Sequence, residues 1–106
     1  MNEIERFYNW LEYSYSVEEL TDTLVVEIST DFIAADVYLK LNGHRWEIDE
    51  ICIDDDYTLN LEALDSLYTV IGFLRNDVEY HNKNYDWDNN IMDYKFKGVD
   101  MLNQTE

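Results

Sequence analysis

Residues 33–56 read IAADVYLKLNGHRWEIDEICIDDD. Asn42-Gly43 is the strongest short-range signal for a β-hairpin, because a two-residue type I′ turn needs positive φ at both central positions. A turn centred there sets Leu41 opposite His44, Leu39 opposite Trp46 and Val37 opposite Ile48 on one face. The other face pairs Lys40 with Arg45, Tyr38 with Glu47 and Asp36 with Asp49. Like charges directly opposite each other destabilise a sheet. Glu47, Asp49, Glu50, Asp54, Asp55 and Asp56 also crowd into ten residues of the second arm. A chain that keeps this repulsion is expected to use the field it makes. In the same arm the alternation slips: Trp46 and Ile48 share one parity, Ile51 and Ile53 the other. A bulge near Asp49-Glu50 restores both pairs to the core. It also turns Glu50 away from an inward position opposite Ala35.

Working outward, Thr23 to Ser29 (TLVVEIS) alternates as a strand, with Leu24, Val26 and Ile28 facing one way. Ser29-Thr30-Asp31 supplies turn chemistry between it and the hairpin. Residues 3–15 read as a helix, since Ile4, Phe7, Tyr8, Leu11 and Tyr15 form one stripe. Trp10 lies off that stripe, as a second contact or an exposed anchor. Ser16 to Glu19 matches a capping box and predicts a short helical turn. Downstream, Asn60, with Thr58 as the alternative, is the expected N-cap of a long helix. Its apolar stripe is Leu61, Leu64, Leu67, Tyr68, Ile71, Leu74 and Val78, and it ends near residues 81–84. Residues 88–98 admit two readings: a helix capped by Asp88, or a strand in which Met92, Tyr94 and Phe96 alternate with Asp93, Lys95 and Lys97. The tail from Asp100 reads as frayed. The predicted fold is α+β: a three-stranded antiparallel meander packed by helices, in the order α-β-β-β-α-α, with the last element open to being a strand.

The 106 residues suit a single domain spanning 1–106. Apolar residues are 46 % of the chain, too many for a disordered acidic tail. The formal charge of −17 argues against direct nucleic-acid binding, which wants a basic surface, and against anionic membranes. It favours a basic protein partner reached by electrostatic steering. One cysteine, Cys52, excludes an internal disulfide and suits a reducing cytoplasm. Its place in an apolar run predicts an inert core thiol. The acidic start, MNEIERFYNW, is unlike a signal peptide.

Catalytic and metal patterns fail on their spacing. Asp54-x-Asp56-x-Thr58 begins like a calcium loop, but Leu59 stands at the glycine place and Asp65 at the twelfth. Asp86-x-Asp88-x-Asn90 fails similarly, with Ile91 at the glycine place. His44 and His81 have no metal-ligand spacing with Cys52, and three glycines build no phosphate-cradling loop. His44 reads as a turn-flanking residue and His81 as a helix-end residue favoured by the dipole. The expectation is therefore no enzyme, no metal and no cofactor. What remains is an acidic surface bearing aromatics, and interface cores are rich in Tyr and Trp. The candidate partner-binding residues are Asp36, Glu47, Asp49, Glu50, Asp54, Asp55, Asp56 and Tyr57, with Asp86, Trp87 and Asp88 as a second patch. Carboxylates two apart on a strand lie about 6.6 Å from each other, comparable with the step between neighbouring phosphates of a nucleic-acid strand.

In size, acidity, cysteine poverty and element order the chain resembles the small DNA-mimicking inhibitors of phages and mobile elements. These include antirestriction proteins and inhibitors of RNA-guided nucleases, and the order helix, three strands, helices is similar to one type II-A anti-CRISPR architecture. The resemblance implies a cytoplasmic inhibitor whose acidic face plugs the DNA-reading channel of a CRISPR nuclease or the groove of a restriction enzyme. A second expectation is an immunity-type protein neutralising one basic toxin, which also uses acidic and aromatic residues.

Overall fold

Asn2 opens the first helix: its side chain accepts a hydrogen bond from the Glu5 amide at 2.8 Å, and Glu3 and Glu5 complement the helix dipole. A computed structural model describes residues 2–54 and 59–84. Helix α1 covers Glu3–Leu11, strand β1 Ser16–Glu19, β2 Thr23–Ser29, β3 Ala34–Asn42, β4 Arg45–Ile53 and helix α2 Leu61–Lys83. All neighbouring strands are antiparallel, in the order β1-β2-β3-β4. The α+β class and the meander are as expected. The sheet has four strands where the sequence reading has three, and residues 88–98 lie outside the described residues.

The added strand is Ser16–Glu19, read from sequence as a helical turn. Val17 pairs with Val26 and Glu18 with Val25, so the free edge of β2 supplies a ladder that outweighs a local capping signal. The Ser16 hydroxyl, the supposed cap, donates instead to Glu27 at 3.4 Å. Helix α1 is correspondingly shorter than residues 3–15. The Tyr15 amide returns to the Leu11 carbonyl, and Tyr15 is buried.

The hairpin turn sits one residue further along than Asn42-Gly43 predicts. Asn42 pairs with Arg45, leaving Gly43 and His44 as the turn. Gly43 has φ of +66°, and no non-glycine among the described residues has positive φ. A type I′ turn would need it at His44 as well; glycine at the first central position is the type II′ requirement. Leu41 therefore faces Trp46, Leu39 faces Ile48, and Lys40 faces Glu47. The apolar face is unchanged, because the shift moves the partner by two residues. The bulge falls where expected: Leu39 pairs with Ile48 and Tyr38 with Glu50, passing over Asp49. Asp36 then pairs with Cys52, so the expected opposition of Asp36 and Asp49 does not occur.

Both helices cover one face of the sheet, over Leu24, Val26, Ile28, Val37, Leu39 and Trp46. Trp10 is 1 % exposed and is part of this core, near Phe7, whose ring stacks on Trp46 with centroids 4.4 Å apart. Asn60 caps α2 as predicted, accepting from the Ala63 amide at 2.9 Å. The buried stripe of α2 is rotated from the predicted one. Leu61 and Tyr68 are 81 % and 74 % exposed, while Ala63, Val70, Asp77 and His81 are buried. Two polar residues on the inner side disguise the stripe. Tyr15 Oη donates to the Asp77 carboxylate at 2.5 Å. His81 lies between Phe7 and Trp10, with ring centroids at 4.6 and 5.0 Å.

Candidate interaction surface

The pairing register fixes what the other face carries. Side chains alternate along each strand, so the residues opposite the core form rows across the sheet, three of which carry its acidic groups. One row is Ser16, Glu27, Asp36 and Cys52; the next is Glu18, Val25, Tyr38 and Glu50; the third is Thr23, Lys40 and Glu47. Among the described residues no helix covers this face. Five carboxylates, Glu18, Glu27, Asp36, Glu47 and Glu50, share it with Lys40, and Arg45, the outward residue before Glu47, pairs with Glu79. Glu27 stands directly opposite Asp36, a like-charge pair that destabilises the sheet. Because of the bulge, Glu47 and Glu50 are successive outward positions on β4, opposite Lys40 and Tyr38.

Asp36, Glu47 and Glu50 are thus brought together as the sequence reading proposes. Asp49, on the bulge, reaches back to the Lys40 ammonium at 3.3 Å. Asp54 follows β4 and is exposed; its amide donates to the Ala34 carbonyl at 2.9 Å. Asp55, Asp56, Tyr57, Asp86, Trp87 and Asp88 lie outside the described residues. Glu18 and Glu27 were missed. The alternation of Ser16, Val17 and Glu18 is their signal, hidden under the capping-box reading. Glu27 was placed correctly on its strand, but only the pairing with Asp36 makes it part of the patch.

Tyr38 sits half-buried at the centre. Partial desolvation, then the charges of Cys52, Asp36, Glu50 and Glu18, hold its phenol above the usual value. It therefore stays neutral and keeps its hydroxyl hydrogen for donation. Cys52 is exposed on this face, not in the core as its apolar neighbourhood predicts. Desolvation and the neighbouring Glu50, which also accepts its hydrogen, push the thiol up, with Asp36 adding to this. A protonated thiol is a poor nucleophile, so desolvation and the neighbouring carboxylates both lower its reactivity.

The histidines lie on the opposite side of the molecule's chemistry. His44, in the turn, meets Glu3 at 2.6 Å. His81 is 5 % exposed, and its pKa is lowered to about 4 by burial and then by Arg6, against the opposing charge of Glu3. Both line a cavity of about 10 Å³ with Glu3, Arg6 and Trp46, room for about one water molecule. No group of three His, Cys, Asp or Glu among the described residues could hold a metal ion. No helix among them is long and apolar enough to cross a membrane. Comparison with protein-family models, curated proteins and solved structures finds no match for this chain.

Proposed function

We propose that this protein is an acidic mimic of DNA. It occupies the basic nucleic-acid-binding surface of a host defence protein, a CRISPR-associated nuclease or a restriction enzyme, and blocks access of DNA without chemistry of its own. The observation that supports this reading is the sheet face, covered by no helix among the described residues, on which Glu27 opposes Asp36, flanked by Glu18, Glu47 and Glu50. Solubility needs only modest charge and no destabilising pair. A positive groove gains from such an array through steering and through close charge pairs. Tyr38, at the centre, adds the kind of rigid aromatic that anchors interfaces.

The test is capture from lysates of host and phage-infected cells on the tagged protein, repeated with excess duplex DNA and with the double variant Glu27→Lys/Asp36→Lys. A nuclease or restriction subunit that DNA displaces and the variant fails to hold is the expected result. A small partner that stays bound in the presence of DNA would instead identify a toxin–immunity pair. Retention of nothing basic at low salt would refute both.

A further inference from the structure

Among the described residues the sheet ends at β4, a nine-residue strand at its edge. Main-chain groups alternate in direction along an antiparallel strand, and the contacts of β4 reveal which of them point away from β3. The Trp46 amide donates to Asn82 Oδ1 at 2.8 Å, and the Trp46 carbonyl accepts from Asn82 Nδ2 at 3.0 Å. Trp46 therefore points outward, and so does Ile48 two residues on. The bulge resets the alternation. Glu50 and Cys52 turn toward Tyr38 and Asp36, as does Asp54 toward Ala34, leaving Ile51 and Ile53 pointing outward. Among the described residues nothing hydrogen-bonds those outward groups of Ile48, Ile51 and Ile53. On the helix-bearing side the same strand leaves Ile51 39 % exposed. There an open groove of about 200 Å³ runs between β4 and α2, its lining made of Trp46, Ile48 and Val78 together with Glu47, Arg75 and the Arg45–Glu79 ion pair. On the other side stand Glu47 and Glu50.

We propose that the edge of β4 left open by the described residues receives an extended basic segment of the partner as an added strand, with its apolar side chains beside Ile48 and Ile51 and its lysines or arginines over Glu47 and Glu50. This rests on the reading above that the partner is basic. Edge addition takes affinity from main-chain hydrogen bonds and specificity from alternate side chains, and charge selects the occupant here. A second copy of this chain would bring another acidic β4 to the edge, and opposed like charges destabilise a ladder. Edge carboxylates and a bulge are ordinary defences against self-pairing. They exclude another acidic strand and attract a basic one.

The experiment is amide hydrogen exchange on the full chain, measured by NMR with an octapeptide of alternating valine and lysine. Its control is the same peptide with alternate amides N-methylated, equal in charge but unable to extend the ladder. The expected result is at least about tenfold slower exchange at Ile48, Ile51 and Ile53 with the first peptide alone. The Trp46 amide, already held by Asn82, should not change. Equal effects of both peptides, or no protection at the edge, would overturn the inference. So would edge protection in the free protein together with a dimer in sedimentation, which would make a second copy the occupant. The peptide reads the edge independently of the partner. Loss of edge protection thus leaves the DNA-mimic reading standing, and failure of DNA to displace the partner leaves the edge result standing.

Discussion

Replacing His81 by phenylalanine should remove an acid sensitivity that the fold builds into its own core. His81 is enclosed by Phe7, Trp10 and the Trp46 region, and its Nδ1 has no hydrogen-bond partner among the described residues. Burial, then Arg6, lowers its pKa from 6.5 to about 4, with Glu3 opposing. In the unfolded chain the imidazole takes a proton below pH 6.5, but in the folded one only below about 4. Between those values the unfolded state binds more protons, so each step down in pH favours unfolding. The contribution is complete above pH 6.5, is lost as pH falls to about 4, and then levels off. At about 1.4 kcal/mol per pH unit, the loss comes to about 3 kcal/mol. Carboxylates titrate over part of the same range, so the quantity to measure is a difference. Urea denaturation of the wild type and of His81→Phe between pH 7.5 and 3.5 should show the wild type losing about 3 kcal/mol more than the variant toward the acid end. The phenylalanine keeps an aromatic ring against Phe7 and Trp10 and cannot titrate. Parallel curves, or an imidazole that titrates near 6.5 by NMR, would refute the reasoning.

Three further outcomes are expected. Asn82→Ala removes both hydrogen bonds to the Trp46 backbone; it should cost about 1–3 kcal/mol by urea denaturation and speed amide exchange at Trp46. Tyr15→Phe removes the donor to the buried Asp77 carboxylate and should cost about 1–3 kcal/mol in the same assay. Glu27→Gln relieves the opposition to Asp36; it should raise stability by about 0.2–1 kcal/mol at low salt, with the gain shrinking as salt rises, while weakening capture of the partner.

The local signals that proved sound are those whose physics is local. The Asn60 cap needs only a side-chain oxygen three residues before an amide. The bulge at Asp49 follows from the parity of Trp46 and Ile48 against Ile51 and Ile53. The hairpin was located by Asn42-Gly43, but its turn type depends on which residue takes positive φ, and only Gly43 does. Strand β1 was hidden because four residues reading SVEE match a helix cap as well as an edge strand, and only the unpaired edge of β2 decides between them. The face of α2 was misread because Asp77 and His81 are buried against expectation, each accommodated by aromatic residues distant in sequence. Of the acidic patch, the three carboxylates of the hairpin were legible from alternation. Glu18 and Glu27 became members through pairing registers that the sequence does not state.

The two faces of the central strands explain how the repulsion on the outer one persists. Leu24, Val26, Ile28, Val37 and Leu39 are at most 1 % exposed, and each such side chain contributes about 1.5–3 kcal/mol by its burial. A like-charge pair across the sheet costs at most about 1 kcal/mol. The strain cannot be released by sliding β3 along β2, because a slip of one residue turns every side chain to the opposite face. It would drive Asp36 into the core and bring Val37 into water. Glu27 and Asp36 are therefore held opposite each other by the apolar residues that alternate with them along β2 and β3. The carboxylates form a fixed array whose mutual repulsion is already present before any partner arrives. A cationic surface that docks on them relieves that repulsion, and a sheet with a rigid register loses little further entropy on binding.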